Sequence, residues 1–370
     1  MTSLSVTAFT DTYFPSINGV TYTIKSWRDE WVSRGNCMEV VYPNQDEYNP
    51  ASGEYPVSSA PFPFYNDFQL GLPLVPDSLE IPDIVHLHGP FTMGISGLRF
   101  SKSHDVPVIA SYHTPISRYA TYLSSNKYIE GVIKKTARKY EKNFYDRVDV
   151  VLTPSESTRL DFKQIHGTDT KIRTVTNGVD IDLFEETASA EFLSRNGINT
   201  SNPIIGYTGR HGYEKNLFEI VEAAKDLDIT VIFGGDGPAR QELERRSEKA
   251  GLDAHFLGFI SREDLPAFYS SLDAFVFPSR NETQGLVALE SFACGTPIVA
   301  VDAGALSTTV THGKTGCHYQ PGDIDGLRNS IRKATAETAS FRQACLDQRE
   351  EISIQTSVDQ LTEVYEQVTS

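Results

Sequence analysis

The chain has 370 residues, of which 39% are hydrophobic and 22% are charged, the balance of an ordinary globular protein. This length predicts two domains, each large enough to bury a core of its own. The 49 acidic residues exceed the 33 basic ones and give a net charge of -16, which argues against a nucleic acid as a partner.

The amino terminus, MTSLSVTAFTDTYFP, lacks the basic region and the long apolar run of a signal peptide, and no window of the chain is apolar enough for a membrane span. The cysteines show neither CxxC pairs nor metal-ligand spacing; they are Cys37, Cys294, Cys317 and Cys345. We therefore expect a cytoplasmic protein with reduced, buried thiols.

The first half of the chain alternates short apolar segments with helical ones. Strands are predicted at 4–9, 38–43, 83–88, 107–113 and 149–154, helices at about 21–34 and 90–104, an irregular Pro-rich stretch at 50–78, and the segment 171–180 closes this half. The near-continuous apolar character of the strands favours a parallel sheet that is covered on both faces.

The second half repeats this rhythm. Strands are predicted at 203–209, 229–235, 255–259, 274–279 and 297–302, and helices at about 215–226, 238–250, 262–271 and from about 285. Alternating strands and helices predict an α/β fold of two doubly wound domains with a linker near 181–202. In such sheets ligands bind beyond the carboxyl ends of the strands, and the cleft between two domains is the natural site.

The strongest motif is PSRNETQGLVALESFACGTPIVA at 278–300. A predicted strand ends at its start, and the following loop presents Glu282. Gly285 lets the backbone approach a ligand closely, and a helix then begins at Leu286, so that free N–H groups and the helix dipole favour a phosphate there. Glu290 follows more than one turn later on the same helix. The two glutamates alone fit surface positions beside an ordinary helix equally well; the whole segment favours a site.

This segment resembles the signature of family-4 retaining glycosyltransferases of the GT-B fold (glycosyl transferases group 1), in which two Rossmann-like domains face each other across a cleft. The resemblance implies that Glu282 holds hydroxyls of the donor sugar, that Glu290 holds the ribose, and that Gly285 and Leu286 also belong to the donor site. The family often has an aromatic residue where this chain has Gln284, which leaves the donor sugar open.

A second motif, GYTGRHGYEKN at 206–216, places Arg210 and Lys215 between a strand and a helix. Fixed cations stabilise the negative charge that a diphosphate gains as the glycosidic bond breaks. A cation at a helix start opposes the dipole, which disfavours two merely solvated charges. The pair matches the family's leaving-group cations, so we expect no required metal and no cofactor. Two DxD triplets, at 180–182 and 323–325, are short enough to arise by chance.

Three further site residues follow from the resemblance. Gly19, in SINGVT, matches a glycine that brings backbone amides to the donor phosphate. His113 ends a predicted strand and matches the histidine beside the reacting sugar, whereas His86 and His88 are interpreted as structural or site-lining residues. Ile260, in LGFI, matches the stretch whose backbone binds the nucleobase.

The family resemblance covers nearly the whole chain and implies a domain that binds the acceptor at 1–183 and one that binds the nucleotide sugar at 198–351. A final helix, at about 352–370, is expected to pack back on the first domain. The implied reaction moves a hexose from a UDP- or GDP-linked sugar to a hydroxyl with retention, by front-face substitution in which the leaving phosphate acts as base.

Two rival functions use a similar architecture. A nucleotide-sugar epimerase remains the alternative, and release of free epimer from the donor alone would favour it. A dinucleotide-dependent oxidoreductase is disfavoured, because neither SINGVT nor GGDGPAR completes a GxGxxG turn.

The acceptor is predicted less sharply. The stretches PFTMGISGLRFSK and SYHTPISRYATYL resemble family members that glycosylate membrane lipids, which favours a lipid acceptor over a lipid-linked glycan or a cell-surface polymer. Residues 126–147 hold seven basic and three acidic side chains with apolar residues near helical spacing. Such a helix can lie on an anionic membrane, peripherally at the inner face of the cell membrane. Its periodicity fits equally a helix packed on the core with a solvated basic face.

Overall fold

The computed structural model describes residues 3–45, 48–61, 69–116 and 127–370, with the backbone alone at 127–130. The chain divides into two compact units. The first consists of Met1–Asn177 and Ser357–Ser370, and the second of Gly178–Thr356. Each unit has a hydrophobic core of its own. No helix in the described ranges combines the length and the apolar character needed to cross a membrane.

The strands of the described residues are β1 (Ser5–Phe9), β2 (Cys37–Pro43), β3 (Glu54–Val57), β4 (Ser59–Pro61), β5 (Gln69–Gly71), β6 (Ile84–Leu87), β7 (Val108–Ser111), β8 (Val150–Thr153), β9 (Lys171–Thr174), β10 (Ile204–Thr208), β11 (Thr230–Gly234), β12 (Asp253–Gly258), β13 (Ala274–Phe277), β14 (Ile298–Val301) and β15 (Gly316–Tyr319).

The α-helices of the described residues are α1 (Gly19–Ser33), α2 (Thr92–His104), α3 (Lys127–Tyr145), α4 (Glu156–His166), α5 (Ala190–Arg195), α6 (Phe218–Ala224), α7 (Arg240–Lys249), α8 (Leu265–Ser270), α9 (Leu286–Ala293), α10 (Leu306–Thr309), α11 (Ile324–Ala336), α12 (Thr338–Leu346) and α13 (Ile354–Thr369). Short 3₁₀ helices lie at Tyr213–Lys215 and Arg349–Ile352.

The first unit is built on a seven-stranded sheet with the order β3-β2-β1-β6-β7-β8-β9, in which every pair is parallel. The antiparallel pair β4-β5 lies apart from it. Strands β6, β7 and β8 are buried along their whole length, because helices cover both faces of a parallel sheet. The order reverses between β1 and β6, so the loops that follow these two strands lie side by side.

The last helix, α13, lies in the first unit from Ser357 onward. Trp27 Nε1 of α1 donates a hydrogen bond of 2.8 Å to Ser357 Oγ. Farther along α13, the Tyr365 ring meets the Trp31 ring edge-on, with 5.1 Å between the ring centroids. Both tryptophans and Tyr365 are buried, so this contact is part of the first unit's interior.

The second unit is built on a six-stranded parallel sheet with the order β12-β11-β10-β13-β14-β15. Its central strands are buried along their whole length, and their apolar side chains form much of the core. The order reverses between β10 and β13, which are paired through Ile205 and Ala274. The carboxyl ends of these two strands therefore frame the place where such a sheet binds a ligand.

The two α/β units bear out the predicted fold class, a pair of doubly wound parallel sheets.

Candidate functional site

Two of the residues that the motifs single out meet at the strand reversal of the second unit. Lys215 follows β10, Glu282 follows β13, and the Lys215 Nζ–Glu282 Oε1 distance is 2.6 Å. Their side chains are only 23% and 14% exposed, so the two charges interact in surroundings with little water. An ammonium and a carboxylate therefore lie together beyond the carboxyl ends of β10 and β13, where ligands bind in such a sheet.

The second predicted cation, Arg210, has a different partner. Its Nη1 lies 2.7 Å from Glu214 Oε1, and both side chains are more than 30% exposed. A pair of this kind contributes little to folding. Its guanidinium keeps its positive charge at any physiological pH. The structure thus brings Lys215 to Glu282, but pairs Arg210 within its own loop.

The loop that carries Arg210 is locked against the loop after β11. Gly235 has φ +100°, and a Cβ atom at this position would lie 2.0 Å from the carbonyl oxygen of Gly209. His211 is fully buried; its backbone N–H donates to Asp236 O at 2.7 Å, and its Nε2 donates to Gly234 O at 3.0 Å. Burial lowers the pKa of His211, so the ring is a neutral, structural group.

Helix α9 begins at the loop that carries Glu282. Gly285 precedes it with φ +79°, and a Cβ atom there would lie 2.8 Å from Cε1 of Phe277. The residue at the N-cap position, Gly285, has no side chain with which to cap the helix, whose first residue is Leu286. The amide groups of a helix's first turn lack partners within the helix, so this end suits an anion.

Glu290 lies one turn farther along α9 and is 5% exposed. Its Oε2 accepts a hydrogen bond of 2.8 Å from the Tyr269 hydroxyl, and its Oε1 lies 3.5 Å from Arg262 Nη1. Burial raises the pKa of Glu290, although Arg262 and Tyr269 oppose that effect. Ile260 is 9% exposed, whereas its neighbour Phe259 is 69% exposed. Sequence reasoning missed Arg262 and Tyr269, because no local pattern links them to Glu290.

In the first unit, the reversal between β1 and β6 places two acceptor groups at helix starts. Asn18 Oδ1 accepts hydrogen bonds from the first turn of α1, whose first residue is Gly19. Asp11 Oδ1 accepts from Thr92 Oγ1 at 3.0 Å and from Met93 N at 2.9 Å, and so caps α2 from a distance in sequence. Burial raises the pKa of Asp11 to about 6. Asp11 was not singled out from the sequence.

His113 belongs to a cluster of histidines at the carboxyl ends of β6 and β7, in which His86 and His88 are buried and His113 is half-buried. His88 Nδ1 lies 3.0 Å from His113 Nε2. His86 is bonded through Nδ1 to the Tyr365 hydroxyl at 2.7 Å and through Nε2 to Ser111 Oγ at 2.8 Å. Burial lowers the pKa of His86 to about 3 and that of His113 to about 4. Both rings are therefore uncharged near neutral pH and act as hydrogen-bonding groups.

The DxD triplets have structural partners. Asp180 Oδ1 accepts from the backbone N–H groups of Asp182 and Leu183, which closes a turn. Asp323 is the N-cap of α11, where Oδ1 accepts from Gly326 N at 2.9 Å. Among the described residues, no group of three or more His, Cys, Asp and Glu side chains is arranged to hold a metal ion.

The basic segment 126–147 is described in part. Asn126 and the side chains of 127–130 lie outside the described residues, as do residues 117–123 of the SYHTPISRYATYL stretch. Phe144 and Tyr145, at the end of α3, are 4% and 1% exposed and pack on the core, whereas Val132 and Tyr140 are 51% and 40% exposed. The side chains of Lys135, Arg138 and Lys139 are exposed. The described part thus packs on the core at its carboxyl end and exposes both basic and some apolar side chains before it.

Comparison with known families and proteins complements this geometry. Residues 17–183 match the model of Glycosyltransferase Family 4, and residues 189–351 match the model of Glycosyl transferases group 1. The alpha-monoglucosyldiacylglycerol synthase of Streptococcus pneumoniae is 27% identical over 361 residues, which cover 92% of this chain and 80% of that protein. A GDP-mannose-dependent alpha-mannosyltransferase of Mycolicibacterium smegmatis is 27% identical over 351 residues, which cover 92% and 90%.

The fold has counterparts among solved structures. The crystal structure of Anabaena HepE in complex with UDP matches with a TM-score of 0.79 at 18% identity, over 98% of this chain and 100% of that chain. With two parallel α/β units and both family models matched in succession, the chain belongs to the GT-B glycosyltransferases that join a Glycosyltransferase Family 4 region to a Glycosyl transferases group 1 region.

Proposed function

We propose that this glycosyltransferase moves a hexose from a UDP- or GDP-linked sugar to a hydroxyl of a membrane lipid or lipid-linked glycan, with retention of anomeric configuration. The observation that carries the proposal is the Lys215–Glu282 pair at the reversal between β10 and β13. A cation for a diphosphate and an acceptor for sugar hydroxyls stand together there, as transfer from a nucleotide sugar requires.

The leaving group determines the task of the cations. As the glycosidic bond breaks, its electron pair stays on the β-phosphate, which gains negative charge. Lys215 and Arg210 stabilise that charge, and the amide groups at the start of α9 add the favourable end of a helix dipole. These groups supply what a metal ion would otherwise supply, so the proposal includes no metal and no cofactor.

The sugar and nucleoside are assigned to the two glutamates. Glu282 accepts hydrogen bonds from hydroxyls of the donor hexose, and Glu290 accepts them from the ribose. Because Lys215 already holds Glu282, the donor enters a site whose carboxylate has a fixed orientation. Ile260 contributes the backbone that meets the nucleobase.

Retention follows from attack on the face that the diphosphate leaves. The acceptor oxygen bonds to the anomeric carbon as the phosphate departs, and the phosphate oxygen takes the acceptor's proton. His113 lies beside the reacting sugar as a neutral hydrogen-bonding group, and Gly19 belongs with the donor phosphate. A proton shuttle through His113 is not part of this proposal, because burial lowers its pKa to about 4.

A lipid acceptor is supported by relatives whose names describe lipid glycosylation, the diacylglycerol enzyme above and a phosphatidylinositol dimannoside mannosyltransferase of Mycobacterium tuberculosis. The basic face of α3 is proposed to contact anionic headgroups at the inner face of the cell membrane. Phe144 and Tyr145 are already buried in the first unit, so the proposal rests this contact on the positive charges of the helix.

The deciding experiment measures release of nucleoside diphosphate by the purified protein. UDP- and GDP-sugars are screened, each with and without a total lipid extract, and the sugar carries a radioactive label. Release that depends on lipid, with label in the organic phase, supports the proposal. NMR of the product then gives the anomeric configuration, and an inverted product would exclude the front-face mechanism.

Other outcomes separate the parts of the proposal. Release only with a soluble sugar acceptor keeps the transferase and excludes the lipid. Free epimer from the donor alone supports an epimerase instead. No release from any donor under any condition contradicts the transferase activity itself.

A further inference from the structure

The loop that carries Glu282 is held from both sides within the second unit. It spans residues 278–285, between β13 and α9. On one side Lys215 contacts Glu282, and Asn216 Nδ2 donates to Pro278 O at 3.3 Å. These contacts come from the loop after β10.

The other side is held by a carboxylate on α6. Arg280 Nη2 donates a short hydrogen bond to Glu219 Oε1, and the Tyr319 hydroxyl donates to Glu219 Oε2 at 2.8 Å. Glu219 is 13% exposed along its side chain, and Tyr319 is 3% exposed at the end of β15. Burial, together with the charge of Glu219, raises the pKa of Tyr319, so its hydroxyl keeps the proton that it donates. Both carboxylate oxygens of Glu219 are thus committed.

The helix under Glu219 is itself anchored. Arg328 of α11 donates to the carbonyl oxygens of Ala223 and Glu222, each at 3.1 Å, and so holds the last turn of α6. Glu219 lies in the first turn of the same short helix. Because α6 is tied to its neighbour at one end, it can serve as a fixed support for the Arg280 side chain at the other.

The backbone of the 278–285 loop also contacts the turn after β14. Ala305 N donates to Glu282 O at 3.2 Å. A Cβ atom at Gly304 would lie 3.1 Å from the carbonyl oxygens of both Arg280 and Glu282. The turn after β14 therefore packs closely against the backbone at both Arg280 and Glu282.

We propose that Glu219 is a positioning residue of the donor site: it holds Arg280, and through Arg280 the 278–285 loop, in the conformation that presents Glu282 to the donor sugar. This inference rests on the proposed role of Glu282. It adds a residue that the motifs do not contain, 61 positions away from Arg280 in sequence. The competing interpretation is an ion pair that only stabilises the second unit.

Two binding affinities separate these interpretations. The probes are the nucleotide sugar that supports turnover and the matching nucleoside diphosphate, for example UDP-glucose and UDP, titrated by calorimetry. Glu219→Gln keeps the shape of the side chain but removes its charge. We expect the nucleotide sugar to bind about tenfold more weakly, the worth of one charged hydrogen bond, while the diphosphate stays within about twofold.

The matched control is Glu222→Gln on the same helix. The Glu222 carboxylate is 46% exposed and pairs with Lys225, and both ligands should bind as they do to the wild type. Equal weakening of nucleotide sugar and diphosphate by Glu219→Gln would overturn the inference, because the sugar-binding loop would then not be the part affected. Unchanged binding of both would overturn it as well.

A double-mutant cycle tests whether Glu219 acts through Glu282. If it does, Glu219→Gln has no further effect on nucleotide-sugar binding once Glu282→Ala is present. Independent, multiplying losses would contradict the proposal. Should Glu219→Gln fail to fold, Tyr319→Phe removes one of the two hydrogen bonds to Glu219. We expect this variant to bind the nucleotide sugar about threefold more weakly and the diphosphate as tightly as the wild type does.

Measurements on the wild-type protein distinguish failure of the proposed function from failure of the positioning role. If wild-type protein neither binds nor turns over any nucleotide sugar, the donor site itself is disproved, and the positioning role falls with it. If the wild type is active and Glu219→Gln binds both ligands normally, only the positioning role is wrong.

Discussion

Lys215 and Glu282 are 67 residues apart in sequence, yet Lys215 Nζ lies 2.6 Å from Glu282 Oε1. Neither residue lies in a strand. They meet because β10 and β13 are neighbours in the sheet although two strands intervene between them in the chain. The strand reversal thus creates the pair, and it also creates the crevice in which a ligand of this fold binds.

Removal of the Lys215 ammonium should strongly lower the rate of sugar transfer. We expect Lys215→Ala to lower kcat by about 10²–10³, because the diphosphate loses a fixed cation where negative charge develops. The measurement is the initial rate of nucleoside diphosphate release at saturating donor.

The control for this substitution is Lys225→Ala. Lys225 also forms an ion pair, with Glu222 at 2.8 Å, but this pair is exposed at the end of α6. Its removal should leave the rate unchanged. A Lys215→Ala enzyme within about threefold of the wild type would show that no leaving-group charge rests on this ammonium.

Gly285 offers a test of how closely α9 approaches its surroundings. Gly285→Ala demands a left-handed residue with φ +79° and places a Cβ atom 2.8 Å from the Phe277 ring. Gly313 has φ +75° but open space around the same position, so Gly313→Ala imposes the backbone cost alone, about 1 kcal/mol. We expect Gly285→Ala to lose more unfolding free energy than Gly313→Ala in urea titrations. Equal losses would mean that Phe277 moves aside freely.

Much of the fold could be predicted because most strands are buried on both faces. The apolar runs at 4–9 and 149–154 correspond to β1 and β8 within one residue at each end. The apolar pattern did not predict strands β3 and β15, whose sequences are EYPV and GCHY. Both are edge strands, and an edge tolerates proline, glycine and polar residues that a central strand does not.

The site is predictable from sequence where its residues belong to one continuous motif that begins at the end of a strand. Lys215 and Glu282 stand after β10 and β13, so local patterns single them out. Their supports do not share that property. Glu219 contacts Arg280 of the Glu282 loop from a helix, and Tyr319 contacts Glu219 from another strand, so these contacts depend on the order of strands in the sheet. No periodicity in the chain encodes that order.

The buried histidines predict how stability depends on pH. Burial lowers the pKa of His86 from 6.5 to about 3. Below pH 6.5 His86 binds a proton in the unfolded chain but stays neutral in the folded protein. The free energy of unfolding therefore falls as pH drops from 6.5 toward 3. Asp11 acts in the opposite sense: its pKa rises from 3.8 to about 6, so the folded state binds its proton first and gains stability as pH falls between these values.

His86→Leu isolates one of these contributions. The substitution removes hydrogen bonds to Tyr365 and Ser111 and should destabilise the protein at neutral pH. Between pH 6 and pH 4, however, its unfolding free energy should change with a slope about 1.4 kcal/mol per pH unit different from that of the wild type, in the direction of greater stability at acid pH. Urea unfolding at several pH values measures the slope. An identical slope would mean that His86 is protonated in the folded protein.

Asp11→Ala tests the remote cap of α2. Asp11 Oδ1 accepts from Thr92 Oγ1 and from Met93 N, whereas the residue that precedes the helix, Phe91, offers no side-chain hydrogen bond. Loss of this cap should lower the unfolding free energy by about 1–2 kcal/mol. Asp83 also accepts backbone and hydroxyl bonds, from Ser5, but at an exposed site, so Asp83→Ala is the milder comparison. Equal effects would argue that water replaces Asp11 at the helix start.

Membrane binding by the basic face of α3 is tested by removing its positive charges. Lys135, Arg138 and Lys139 are exposed, and their replacement by Gln removes three positive charges without touching the packed Phe144 and Tyr145. At about 1 kcal/mol for each charge near an anionic surface, the triple variant should bind vesicles of anionic lipid far more weakly at low salt.

Flotation with anionic and with neutral vesicles measures this binding. The control replaces Arg240, Arg245 and Lys249 of α7, an equal charge on a helix of the second unit, and should float like the wild type. If both triple variants lose binding alike, net charge rather than the α3 surface attracts the protein to the membrane. If the wild type ignores anionic vesicles at low salt, the membrane contact is disproved, while the transferase activity stands on the donor site of the second unit.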